Sequence, residues 1–235
     1  GLIAAAGNEN ELAAVVAHEI GHIEQRHIAR MIGVEKQASL WNIAALAVAL
    51  LAARSNSNSA GNAVQAAVAG GQGLQLSQML AFSRDAEREA DRVGLQLLSS
   101  TGYDVSGMVG IFQRLQAQGR LYESTGPVYQ RTHPLTTERI ADIQNRTRML
   151  GEKPAVDSLA FRLMQARTMV LAANTGQLRE QLRQRFLART QNAPVAGEPA
   201  PSALTRAAAH YGLALLYLQE AQAEAAEKSL NTALL

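Results

Sequence analysis

The chain contains no cysteine. That excludes disulfides and removes thiolate from the available metal chemistry, leaving imidazole and carboxylate as ligands. It does not fix a redox compartment, since a cysteine-free protein persists in either. Aromatic residues are scarce at 4%, strand signals are nearly missing, and alanine and leucine are plentiful, so a mainly α fold is expected. A formal net charge of +2, with bases interspersed among acids, gives no basic face for nucleic acid or an anionic membrane surface. No apolar run reaches the ~20 residues of a membrane span, which argues against an integral-membrane protein. Gly1-Leu2-Ile3 opens the chain without methionine or a basic segment, so no signal peptide is visible and the sequence reads as an excised fragment. Its 235 residues can hold one core domain and a smaller appendage.

What is present is concentrated in His18-Glu19-Ile20-Gly21-His22, an HExxH motif in a stretch that reads as helix from Glu9. Residues four apart lie one turn above each other, so both imidazoles leave the same face and can grip one ion. Zinc suits that pair, and a catalytic zinc takes three protein ligands plus a water. Glu19, about 100° around the helix from His18, can reach that water as general base. Two histidines on a solvated face are the plain alternative. Against it, Val15, Val16, Ile20 and Ile23 make the helix largely apolar, and polar groups in a buried segment need partners.

A third ligand is offered by Ser83 to Asp91, where Glu87 and Asp91 are again four apart. Glu87 can bind the ion while Asp91 accepts a hydrogen bond from a ligand imidazole. Glu89 points elsewhere and reads as a solvated charge facing Arg92 or Arg88. The alternative for the whole run is an exposed helix laced with ion pairs.

These two segments, followed by Thr132-His133-Pro134 ahead of Glu138-Arg139-Ile140, resemble the zinc metallopeptidases of the HtpX and CAAX-prenyl-protease class. The resemblance covers about residues 1–150, and the helical tail makes it most similar to the periplasmic, BepA-type members. It implies a gluzincin-type helical core, one zinc per chain on His18, His22 and Glu87, and endopeptidase activity on misfolded or misassembled envelope proteins in the periplasm. It also implies strands upstream of the HExxH helix that this chain does not include. A metzincin is excluded by the residues themselves, because its extended motif needs glycine at Gln25 and histidine at Ile28.

The resemblance places the His133-Pro134 turn near the metal. Proline restricts His133 to extended backbone and lets a helix begin just after it. His133 is therefore expected to donate to the oxyanion when a client is bound, and to close the zinc as a fourth ligand when the site is empty. A turn histidine bonded to backbone is the alternative.

Along the chain, Asn8 and Glu11 form a capping box, and the first helix is expected to run to about Gly33, with His27 a structural histidine. The apolar run Ala38 to Ala53 reads either as a buried helix or hairpin arm, or as a surface touching membrane or client. Arg54 to Asn62 is expected to be a loop. Asn62 to Ala69 should be a short helix broken by Gly70, Gly71 and Gly73, a candidate mobile lid. Ser83 should cap the third-ligand helix and Gly102 end it. Asp104 should cap a helix to about Gln118, Val128 to Arg131 be briefly extended, and Thr136 start a helix with Arg139, Arg146 and Arg148 facing out.

Residues 155–190 read as a helical hairpin, 191–202 as a proline-containing linker, and 203–235 as part of a tetratricopeptide-like repeat. In that repeat Tyr217, Leu213, Ala214, Ala226, Leu230 and Ala233 occupy consensus positions and His210 replaces the usual tryptophan. A generic alanine–leucine hairpin is the alternative. Two functions from different classes follow. One is a zinc endopeptidase acting on polypeptides, with the repeat region meeting the outer-membrane assembly machinery and with peripheral membrane contact. The other is a chaperone or adaptor module with a silent or structural metal site. Intact Glu19 favours the first, since metal binding alone does not require it.

Overall fold

Asn8 starts the architecture. Its side chain accepts from the Glu11 backbone N–H at 2.9 Å, while the Glu11 carboxylate turns back to the Gly7 N–H, so two free donors at the helix start are satisfied. The computed structural model describes residues 2–54, 60–121, 129, 132–151, 153, 156–191 and 200–233. Among them are ten longer helices and no strand: α1 (Leu2–Ala5), α2 (Glu9–Glu24), α3 (His27–Ala53), α4 (Ala60–Thr101), α5 (Ser106–Leu121), α6 (Thr137–Leu150), α7 (Leu159–Ala172), α8 (Gly176–Thr190), α9 (Ala203–Gln219) and α10 (Ala223–Ala233).

One core forms where α2, the C-terminal half of α4, α5 and α6 meet. It buries Leu95, Leu98, Met108, Ile111, Phe112 and Ile143, each worth roughly 1.5–3 kcal/mol of transfer free energy. A second core joins α7, α8 and α9 through Val170, Phe186, Ala209, Leu213 and Leu216. The 203–219 helix thus docks on the pair ahead of it. Gln165 ties this unit to the first by donating to the Ile3 and Ala6 carbonyls at 3.0 and 2.6 Å.

Three expectations about helix boundaries are corrected. The first helix stops at Glu24, because Arg26 takes a left-handed φ of 52°, and the chain turns into α3 well before Gly33. The apolar run is therefore the outer part of α3, and it is a hairpin arm that is not buried: Trp41, Ile43, Leu46 and Leu50 are all exposed. Gly70, Gly71 and Gly73 do not break anything. They lie inside α4, a single 42-residue helix in which Ser83 is an interior residue and not a cap. Interior glycines cost about 1 kcal/mol each against alanine, but Gly71 lets the helices approach: a Cβ there would sit 2.7 Å from that of Ala45.

Gly102, at φ 88°, ends α4 as expected, and Asp104 accepts from the Ser106 N–H to start α5. Most of Arg54–Asn62, most of 191–202 and Val128–Arg131 apart from Tyr129 lie outside the described residues. Ala60 to Asn62 already belong to α4.

Candidate metal centre

α2 and α4 cross at the HExxH motif because small residues face each other there. A Cβ on Gly21 would come within 2.9 Å of the Ala90 carbonyl oxygen, and one on Gly94 within 3.1 Å of the His18 backbone nitrogen. This backbone proximity brings Glu87 onto the two histidines. His18 Nε2 and His22 Nε2 lie 3.1 Å apart. Glu87 Oε2 is 3.4 Å from the first and Glu87 Oε1 3.4 Å from the second.

From the turn before α6, His133 places Nδ1 2.9 Å from Glu87 Oε1 and Nε2 3.6 Å from Glu19 Oε1. One donor atom from each of His18, His22, Glu87 and His133 falls within 4.8 Å of all the others. Tetrahedral zinc ligands at ~2.0–2.1 Å are ~3.3 Å from one another by geometry, close to the 3.1 Å between the two imidazole nitrogens and the 3.4 Å from each of them to one oxygen of the Glu87 carboxylate. Glu87 Oε2 is buried and makes no well-directed hydrogen bond, and Arg139 at 2.9 Å is its charged neighbour, so it keeps acceptor capacity toward an ion. Two imidazoles with carboxylate suit zinc among the common metals.

Around this cluster the far nitrogens of both motif histidines are engaged. His18 Nδ1 lies 2.9 Å from Asp91 Oδ1, a contact that is close although short of ideal hydrogen-bond direction. His22 Nδ1 lies 2.8 Å from His27 Nδ1, and His27 Nε2 is 3.2 Å from Glu89, which Arg30 also contacts at 2.8 Å. Were His22 Nε2 to hold an ion, its Nδ1–H would donate to His27, whose own Nε2–H would donate to Glu89. Glu89 is thus not a solvated charge facing Arg88 or Arg92: it takes two partners from α3, while Arg88 reaches Asp85 and Glu138.

Arg139 is the largest departure from the sequence reading. Expected to face out, it is 4% exposed. It donates to both oxygens of Asp91 at 2.8 Å, comes within 2.9 Å of Glu87 Oε2, and caps the Pro134 carbonyl at 2.7 Å. The reason is charge balance: two carboxylates cannot be buried side by side without a cation, and Arg139 lies one turn before Ile143 and two before Thr147 on the buried face of α6. That stripe, together with the two acids already assigned inside, was the available signal. Arg146 and Arg148 do face outward, the former pairing with Asp142.

The electrostatics follow from these contacts. Burial alone raises a carboxyl pKa, but bonds from His133, His18 and His22 and the charge of Arg139 hold Glu87 well below the ordinary range. Asp91 is likewise buried, and Arg139 and His18 keep it low. Burial pulls His18 down, yet Asp91 and Glu87 outweigh it and raise it above the usual imidazole value. Tyr129, which sequence reasoning passed over, stacks on His133 with ring centroids 4.8 Å apart and 28° between planes. Its buried hydroxyl has its pKa raised, first by burial and then by Glu19 and Glu87. The His133 backbone N–H donates to the Tyr129 carbonyl at 2.9 Å, a link four residues long that fixes the turn from within.

Comparison with known proteins gives a consistent setting. Residues 1–147 match Peptidase family M48. The chain is 38% identical over 163 residues to the Beta-barrel assembly-enhancing protease of Escherichia coli (strain K12), covering 69% of this chain and 32% of that one. It is 34% identical over 231 residues to the Putative beta-barrel assembly-enhancing protease of Vibrio cholerae, covering 98% of this chain and 45% of the other. The Mitochondrial metalloendopeptidase OMA1 of Schizosaccharomyces pombe is 30% identical over 146 residues, 61% of this chain and 38% of its own length. The chain spans less than half the length of each of these relatives.

Proposed function

Since the chain belongs to peptidase family M48, we propose that it is the catalytic part of a zinc endopeptidase, with His18, His22 and Glu87 holding the ion and Glu19 acting as general base. The observation that carries this is the 3.1–3.4 Å spacing of His18 Nε2, His22 Nε2 and the two oxygens of the buried Glu87 carboxylate, with the Glu19 carboxylate half exposed at the mouth. When bound, zinc supplies Lewis acidity toward a scissile carbonyl and lowers the pKa of a coordinated water. Glu19 accepts the proton of the attacking water and returns it to the leaving amine nitrogen. Asp91 and His27 orient His18 and His22 through their outer nitrogens, and Arg139 keeps both buried acids ionised.

His133 serves two states. With a client present its imidazole donates to the developing oxyanion. At rest it completes a four-ligand set and closes the site, a self-inhibited arrangement supported by its place in the same donor cluster. The Tyr129 stack and the Pro134 carbonyl clamp hold the ring at this corner in both. The substrates in this reading are misassembled envelope polypeptides in the periplasm, met near the outer-membrane assembly machinery. Two relatives named for β-barrel assembly support this. X-ray absorption of the zinc-loaded protein should show a closed shell of nitrogen and oxygen ligands that loses one imidazole in His133→Ala. A site already open in the unmodified protein, with turnover unchanged in the variant, overturns the His133 assignment.

A further inference from the structure

The α3–α4 hairpin is packed inside out. The two helices run antiparallel, since Arg30 meets Glu89, Asn42 meets Gln75, and Ala45 meets Gly71. On α3 the seam is made by Ala38, Asn42, Ala45 and Ala49, a spacing of four and three residues that keeps one face turned to the partner. On α4 it is made by Val64, Ala67, Gly71, Gln75 and Gln78. Large apolar side chains lie outside this seam: Leu40, Ile43, Leu46, Val48, Leu50 and Leu51 are between 57% and 68% exposed. Leu74, Leu76 and Leu80 of α4 are exposed as well.

A helix pair in water does the reverse, burying its large residues and presenting charge. A seam mostly of alanine, glycine and side-chain amides, an amide bond across it, and leucine and isoleucine outward are what helices adopt when the medium around them is hydrocarbon. The charge distribution agrees. From Gln37 to Ser83 the only charged residue is Arg54, where the hairpin turns.

Lipid is favoured over a protein partner by the geometry of exposure. With Trp41 included, the outward apolar residues of α3 from Leu40 to Leu51 sweep an arc of about 220° around the helix at 100° per residue, and a second copy or a bound polypeptide covers one side of such a rod, not most of its circumference. None of the helices searched among the described residues is long and apolar enough to cross a membrane. We propose that the hairpin inserts into a single leaflet of a lipid bilayer by hydrophobic contact, with Arg54 reaching the headgroups. The proposal is independent of the metal site, and its failure leaves the peptidase reading in place.

Trp41, the chain's only tryptophan and half exposed on this hairpin, is a built-in probe. The whole chain is mixed with phosphatidylcholine vesicles and followed by flotation and by Trp41 emission. Co-flotation is expected, with a blue shift of Trp41, quenching by brominated phosphatidylcholine, and no release by high salt, since one arginine against lipid of no net charge adds little to the apolar contact. Leu46→Glu combined with Leu50→Glu should weaken partitioning more than about 100-fold while helix content is retained, because both side chains point away from the seam. Absence of flotation and of any Trp41 shift overturns the proposal. So does binding confined to anionic vesicles and released by salt, which would be electrostatic adsorption. A Trp41 shift without lipid that grows with protein concentration, or that appears on adding unfolded casein, assigns the face to a second copy or to client and equally overturns it. If the double variant misfolds, quenching of the unmodified protein by brominated lipid decides alone.

Discussion

Helix α4 belongs to two environments. Its C-terminal half carries Glu87 and Asp91 into a core and surrounds them with His18, His133 and Arg139, while its N-terminal half is almost free of charge and turns its leucines outward. One continuous helix therefore shows both ways of managing polarity. At the metal end the charged groups are inside and every one has a counter-charge or an imidazole within reach. At the hairpin end the small residues are inside and the apolar bulk is outside. The contrast teaches that burial along a helix is set by what each turn meets, not by its own composition.

The contrast is broken most severely at the metal end. Glu87→Ala or His22→Ala should lose the ion, seen as loss of bound zinc by mass spectrometry. Glu19→Gln should keep it and lose turnover by about 10²–10⁴-fold in a casein digestion assay, because the base acts only on the attacking water. Zinc retained at full occupancy in Glu87→Ala would remove the ligand assignment.

Arg139→Met should destabilise the metal-free protein by about 3–5 kcal/mol, since it strands Asp91 and Glu87 without their shared cation. Arg54→Ser, the corresponding loss at the hairpin, should stay within about 0.5 kcal/mol. Urea denaturation of both variants measures the difference, and equal effects would contradict the asymmetry. Excess zinc should recover part of the Arg139→Met loss by binding only the folded state.

Smaller effects sharpen the comparison. Asp91→Ala should weaken zinc affinity roughly 10- to 100-fold. His27→Ala should do less, because His27 orients His22 as a neutral partner and Asp91 acts with its charge; competitive chelator titration ranks the two, and a larger loss in His27→Ala would reverse the roles. At the hairpin, Gly73→Ala meets open space and should stabilise by roughly 0.5–1 kcal/mol through helix propensity. Gly71→Ala presses on Ala45 and should cost about 1–2 kcal/mol through overpacking. Opposite signs for two glycines two residues apart would locate the seam; like signs would deny it.

The clustering of the His18, His22, Glu87 and Asp91 side chains was legible from spacing alone. His18, His22, Glu87 and Asp91 come in pairs four apart, so each pair shares a face whatever the helix packs against. Arg139 was not legible in the same way, because an arginine in the first turn of a helix with other arginines reads as solvent-facing until the buried acids it serves are placed. The turn at Arg26 was missed because no glycine or proline marks it, and the left-handed conformation there is borne by an arginine. The glycines of α4 misled in the other direction: they signal chain flexibility locally, whereas here Gly71 answers a packing need set by a helix about thirty residues away in sequence. The Ala38–Ala53 run was ambiguous for a related reason, since periodicity shows which residues share a face but not which medium that face meets.

The crossing of α2 and α4 acts as a mechanical stop. Gly21 rests against the Ala90 backbone and Gly94 against that of His18, so the two helices approach backbone to backbone at these positions. Side chains have rotamers and compress by swinging aside; peptide groups do not. The gap between His18 and Glu87 is thus gauged by the stiffest parts of the molecule, and repacking elsewhere in the core is transmitted to it only weakly. Such a gauge separates two kinds of variation, leaving the surrounding surfaces free to drift while the spacing between His18 and Glu87 stays the same.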